Sequence, residues 1–121
     1  MKRFLLLLIL SAAVLPAAVF VDGVNVDDTD CRYINLEIEE DLRNTRVFVY
    51  YGQEGSGRRH CVTDRKGGTK YFHSISDALN FFYRNGWEIR EIYTAPRSDG
   101  DDGLIRTVTC YVLRRRANQG D

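Results

Sequence analysis

Only one stretch of this chain carries a helical period, and the segments around it alternate. Ile75, Ala78, Leu79 and Phe82 fall at i, i+3, i+4 and i+7, on one face of a helix. Ser74 stands before them with a hydroxyl placed to accept from the backbone of Asp77. Asp77 in turn suits the positive end of the helix dipole. Asn85-Gly86 closes the segment, because Gly86 can take the left-handed conformation beyond the last turn. Trp87 then folds back against that turn. A helix this short buries a single stripe, so the fold must be built mostly from sheet.

The strand patterns supply that sheet. From Cys31 to Glu39, Ile34, Leu36 and Ile38 point one way and Tyr33, Asn35, Glu37 and Glu39 the other. Arg46 to Tyr51 (RVFVYY) is β-branched and aromatic, and turn chemistry at 41–45 joins the two strands as an antiparallel hairpin. Cys61–Thr63 and Lys70–Phe72 flank the turn DRKGGT and read as a smaller hairpin. Trp87–Thr94 is a strand, Ala95–Gly103 (APRSDGDDG) a loop, and Leu104–Arg114 the last strand. On that last strand Val108, Cys110 and Val112 share one face, with Tyr111 and Leu113 on the other. The expectation is an α+β domain over residues 31–115. It holds an antiparallel sheet of about four to five strands with one helix packed on one face, and a polar tail follows at 116–121.

The N-terminus is a different object. Lys2 and Arg3 precede the apolar run Phe4–Leu10, and Ser11–Ala18 is small and apolar around Pro16. That is the layout of a secretory signal peptide, here an N-terminal signal helix. Residues 1–23 read as signal peptide and cleavage region, and 24–30, with Asp27, Asp28 and Asp30, as an acidic tether. Cleavage after Ala18 puts Pro16 at the −3 position, which is poor. Cleavage after Gly23 puts Val21 there, which is acceptable. The alternative is a retained membrane anchor at residues 4–21, just long enough to span. Either way the domain is expected to be exported, periplasmic or secreted. The whole chain has 17 basic and 17 acidic residues. Lys2 and Arg3 leave with the signal segment, so the remaining domain is mildly acidic, which disfavours nucleic-acid binding.

From Lys70 onward the pattern resembles a known group. Lys70-Tyr71-Phe72-His73-Ser74-Ile75-Ser76-Asp77-Ala78-Leu79-Asn80 is followed by Gly86-Trp87-Glu88 and a closing Tyr111-Val112-Leu113-Arg114. This is similar to small exported Bacteroidetes proteins of unknown function with an F-x-S-x-x-D-A-L-N segment, a helix, then G-W and a terminal strand. The resemblance covers about 45 residues closely. It implies an exported α+β domain and carries over no functional residue.

Candidate chemistry is sparse. Cys31, Cys61 and Cys110 are an odd number for an oxidising compartment, and three pairings are open. Cys31–Cys61 is preferred, since both lie near strand starts, while Cys110 reads as a buried core thiol. No C-x-x-C or H-x-x-x-H spacing supports a metal, and adjacent His60 and Cys61 point to opposite faces of a strand. Asp99, Asp101 and Asp102 lack the twelfth-position carboxylate of a calcium loop, where Cys110 stands. The GQEGSG loop lacks the Lys and helix of a P-loop. No cofactor is expected. Aromatics are in surplus for a thin core, and Tyr50, Tyr51, Tyr93 and Tyr111 are the candidates for an exposed binding surface. The expected function is a non-catalytic binding module for an envelope or secreted protein, touching membrane only through an uncleaved signal segment. The alternative is a thiol- or His-dependent hydrolase using Cys61 and His73.

Overall fold

A computed structural model describes residues 18–40, 42–54, 59–98, 103 and 105–117. Its strands are β1 (Phe20–Val21), β2 (Val24–Asn25), β3 (Tyr33–Glu40), β4 (Thr45–Tyr50), β5 (Val62–Thr63), β6 (Trp87–Arg97) and β7 (Arg106–Arg115). One helix, α1 (Ile75–Arg84), lies between β5 and β6, and a 3-10 turn occupies Val26–Asp28. The strands form two antiparallel sheets, a large one in the order β4-β3-β7-β6 and a small one in the order β2-β1-β5.

Local chemistry sets each element. The Ser74 hydroxyl accepts from the Asp77 N–H at 3.0 Å, and the Asp77 carboxylate accepts from the His73 N–H at 3.0 Å. The first bond satisfies a donor that the opening turn leaves orphaned, and the second ties down the residue before the cap. Gly86 takes φ +93 beyond the last turn, a conformation that costs glycine little. Its carbonyl accepts from the Arg116 N–H at 2.7 Å, which ties the start of the polar tail to the helix end.

Helix and small sheet cover the same face of the large sheet. Ile34, Leu36, Val47, Val49, Tyr111 and Leu113 form one buried cluster with Ala78 and Phe82 of α1. Val19, Val21, Val26 and Val62 belong to that cluster too, so the small sheet completes the lid that the short helix leaves unfinished.

The acidic tether is therefore a correction. Val21-Asp22-Gly23-Val24 is a tight hairpin turn, with φ +51 at Asp22 and φ +80 at Gly23, both in the left-handed region such turns require. Val26 is buried, and its N–H donates to the Val19 carbonyl at 2.9 Å. The domain begins before Cys31 because these valines have a sheet and a core to join. A second correction concerns β6, which runs on through Ala95 and Pro96, paired with Val108 and Thr107. Proline is tolerated there because β6 is an edge strand and needs no donor on its free side. The signal segment up to residue 17, the Asp99, Asp101 and Asp102 run and residues 118–121 lie outside the described residues. Among the described residues no helix is long and apolar enough to cross a membrane.

A chain beginning at Val24 should be less stable than one beginning at Ala18 by about 3–6 kcal/mol. Two fully buried valines, at roughly 1.5–3 kcal/mol each, leave the core. Equilibrium denaturation of the two chains measures this, and equal midpoints would contradict the role of β1.

Candidate functional site

Alternation along β3 sends Glu37 and Glu39 to the face of the large sheet opposite the helix. Cross-strand register builds a row there: Phe48 lies against Glu37, Glu37 against Cys110, and Cys110 against Tyr93. Cys61 extends the row by bridging to Phe48. Neither α1 nor the small sheet belongs to this side, yet Phe48, Glu37 and Cys110 are buried.

Long charged side chains do the covering. The Arg59 guanidinium sits 3.7 Å from the Phe48 ring centroid, and that of Arg46 at 5.6 Å. Glu39 holds both arginines, accepting from Arg46 at 2.6 Å and from Arg59 at 2.8 Å. Burial pushes the Glu39 carboxyl up, but the hydrogen bonds and charges of Arg59 and Arg46 outweigh it and hold it below the usual carboxylate range.

Glu37 is the most demanding group on this face. Its residue is only 5% exposed, and Arg97 pairs with one carboxylate oxygen. The other oxygen, Oε2, is buried with no hydrogen-bond partner among the described residues. A carboxylate oxygen left without a donor costs about 1–3 kcal/mol or more. A donor N–H or O–H brought to that oxygen would recover the cost.

The four candidate tyrosines divide between the two faces. Tyr93 is 39% exposed beside Cys110, and burial of its hydroxyl, with the Cys110 thiol against it, pushes its pKa up. Tyr50 is half-buried on the same face, opposite Asn35; burial raises its pKa against the opposing effect of Arg59. Tyr51 packs against the core on the helix side. Tyr111 is a correction. At 8% exposed it lies inside the core, since β7 alternation puts it on the helix side with Leu113, opposite Leu36.

The disulfide is a correction as well. Cys31, Cys61 and Cys110 are all free thiols. Cys61 stands at the register of Glu37 but two strands away from β3, whereas Cys31 precedes the start of β3 at Tyr33, four residues before Glu37. At about 3.3 Å per residue and 4.8 Å per strand, Cys61 is already roughly 16 Å from Tyr33, beyond the reach of a bridge to Cys31. The Cys61–His73 pairing fails by the same reasoning. Cys61 bridges Phe48, while Phe72 bridges Thr45, so His73 lies about 13 Å further along β4. Burial also pushes the Cys61 thiol up, only partly offset by the Arg46 and Arg59 charges, which opposes nucleophilic activation.

The histidine that does find an acid is His60. Its Nδ1 hydrogen-bonds Asp22, and the two line a polar cleft of about 430 Å³ with Cys61, Thr63 and Thr69. Sequence reasoning missed Asp22 by assigning it to the cleavage region, although Asp-Gly between valines is a hairpin signal. It also missed Arg97, assigned to a loop. Nothing local marks Arg97 as the partner of Glu37, sixty residues away. Among the described residues no group of three or more His, Cys, Asp or Glu is placed to hold a metal. No family model matches this chain, and neither a curated protein nor a solved structure matches it.

Two outcomes follow from these groups. Titration under denaturing conditions should count three thiols. In the folded protein Cys61 should alkylate about tenfold more slowly at neutral pH than a free cysteine, speeding up as the pH rises; a free-cysteine rate would contradict its burial. For Glu39 the folded pKa is depressed, so its stabilisation is present above the usual carboxylate range and is lost as the pH falls through the folded value. Glu39→Gln should therefore lose less stability on acidification than the parent chain, read from melting temperatures between neutral pH and about pH 3. Parallel curves would remove the acid role assigned to Glu39.

Proposed function

We propose that this protein is a non-catalytic binding module working outside the cytoplasm, and that it binds an exported or envelope protein through the outer face of its large sheet. The observation that carries this reading is the buried Oε2 of Glu37, without a hydrogen-bond partner among the described residues, beneath a face that the helix and small sheet leave alone. Around it Tyr50 and Tyr93 offer amphipathic rings, and Arg46, Arg59 and Arg97 offer planar donors. A partner that places an amide or ammonium donor over Glu37 satisfies the orphan acceptor while its apolar surface rests on the tyrosines. The hydrolase alternative draws no support from a thiol pushed up by burial and separated from His73.

The export reading rests on the layout of residues 1–18. The place of Val19 and Val21 in the core favours cleavage after Ala18 over cleavage after Gly23, which would remove β1. For the same reason a retained span would have to end before Val19.

A photo-reactive amino acid at Tyr50, introduced in producing cells, tests the binding face. The expected product is an adduct to a protein other than this chain, absent when the probe stands at exposed Tyr71. Adding Glu37→Gln should lower the yield about tenfold, the worth of a hydrogen bond to a charged group. No adduct at Tyr50, or equal adducts at both positions, would overturn the reading.

A further inference from the structure

The two edges of the large sheet are treated differently. Along β4 the edge is covered: the Val49 N–H donates to the His60 carbonyl at 2.8 Å, and Thr45 exchanges hydrogen bonds with Phe72 at 3.1 and 2.8 Å. β6 is 11 residues long and ends the strand order, so its outer edge has no partner strand among the described residues. Residues 88–94 are all exposed, including Ile89 at 42% and Ile92 at 56%. A long exposed edge with apolar side chains is a template for another strand.

We propose that the occupant is a second copy of this chain, with β6 pairing antiparallel to β6 across a two-fold axis between Arg90 and Glu91. The strand's own order of residues carries the choice. A two-fold axis normal to a sheet preserves its faces, so residues set opposite each other must lie on the same face. The β-bulge between Ile89 and Glu91 decides which residues those are. Ile89 is opposite Leu113 and Ile92 opposite Tyr111, both on the helix side. Glu88 is opposite Arg114 and Tyr93 opposite Cys110, both on the outer side.

With Arg90 set against Glu91 of the second copy, Ile89 falls against Ile92 and Glu88 against Tyr93, each pair on one face. The symmetry makes two Arg90–Glu91 pairs of opposite charge and two Ile89–Ile92 contacts. Without the bulge the same register would set core-side residues against outer-side ones. Pro96 lacks a donor and limits the pairing to Trp87–Thr94.

A second feature fits the same occupant. On the helix side Leu79, Tyr83, Trp87, Ile89 and Leu113 line an apolar cavity of about 370 Å³ beside the β6 edge. Ile92 of the second copy, opposite Ile89, meets the rim of this cavity. Read backwards, β6 itself carries the isoleucine spacing and opposite charge that complement this edge.

Charge reversal tests the register. Arg90 and Glu91 are exposed, so exchanging them does not disturb the core. The chain as purified from producing cells is compared by sedimentation velocity with Arg90→Glu, with Glu91→Arg and with the double exchange. The parent and the double exchange should sediment as dimers, and each single reversal should weaken the dimer by about tenfold or more, since both symmetric pairs become like-charged. Ile92→Lys should give a folded monomer. A parent chain that is monomeric throughout, including one that binds only foreign strands, would overturn the proposal. So would a dimer indifferent to the single reversals.

Discussion

Along β3 the side chains alternate between two faces, and each face is closed by a different kind of chemistry. Ile34 and Leu36 meet α1 and the small sheet through apolar contact. Burial of that kind, at roughly 25 cal/mol per Å², is the main force available to a domain of this size. A ten-residue helix cannot cover four strands, so the valines around β1 and β5 must finish the lid. The place of residues 19–26 in the domain follows from that shortage of cover.

Among the described residues the opposite face has no apolar lid and uses guanidinium groups instead. Arg59 lies over Phe48, Arg97 pairs with Glu37, and Glu39 holds Arg46 and Arg59 in place. The same device recurs elsewhere: Arg115 stands 4.4 Å from the Trp87 ring and Arg116 4.3 Å from that of Tyr83. A planar, weakly hydrated cation can stack on a ring while its edge bonds a carboxylate or carbonyl, which an ammonium does poorly. Five of the arginines after Ala18 stand over rings in this way, and Lys70 also lies near the Phe72 and Phe81 rings. The guanidinium cover also explains how a carboxylate came to be buried on an otherwise open face.

Much of the fold was legible because it is local. Ser74, Asp77 and Gly86 specify the ends of α1 within a dozen residues, and the alternation of β3 and β7 assigns their faces without knowledge of neighbours. What was not legible depends on long-range pairing. β1 is a two-residue strand whose meaning comes from Val62 and Thr63, some forty residues on. Its apolar character is equally that of a cleavage region, so composition alone could not separate the two. Tyr111 shows the limit of reading aromatics as surface: its alternation with Cys110 was plain, but which face the helix would cover was not. The candidate site suffered most, because Glu37 looks like any outward-facing acid until Arg97 and the covering side chains are in place.

The outer face and the free edge belong to one sheet, and this links the two proposals. Pairing β6 with β6 keeps the outer faces of both copies on the same side, since the two-fold axis stands normal to the sheet. Two Glu37 sites then look in one direction, separated by the width of four strands and their partners: Glu37, Cys110 and Tyr93 on one copy, then the same order reversed on the other. At about 4.8 Å between neighbouring strands that is roughly 24 Å across the sheet, and because Tyr93 stands against Glu88 of the second copy the sites are also offset by about 13–16 Å along the strands, so the two carboxylates stand roughly 28 Å apart. A partner carrying two donors at that spacing would engage both copies at once, and its second contact would form at the effective concentration of a tethered group. Edge pairing would thus act on binding through geometry alone, without altering any contact that a single copy makes.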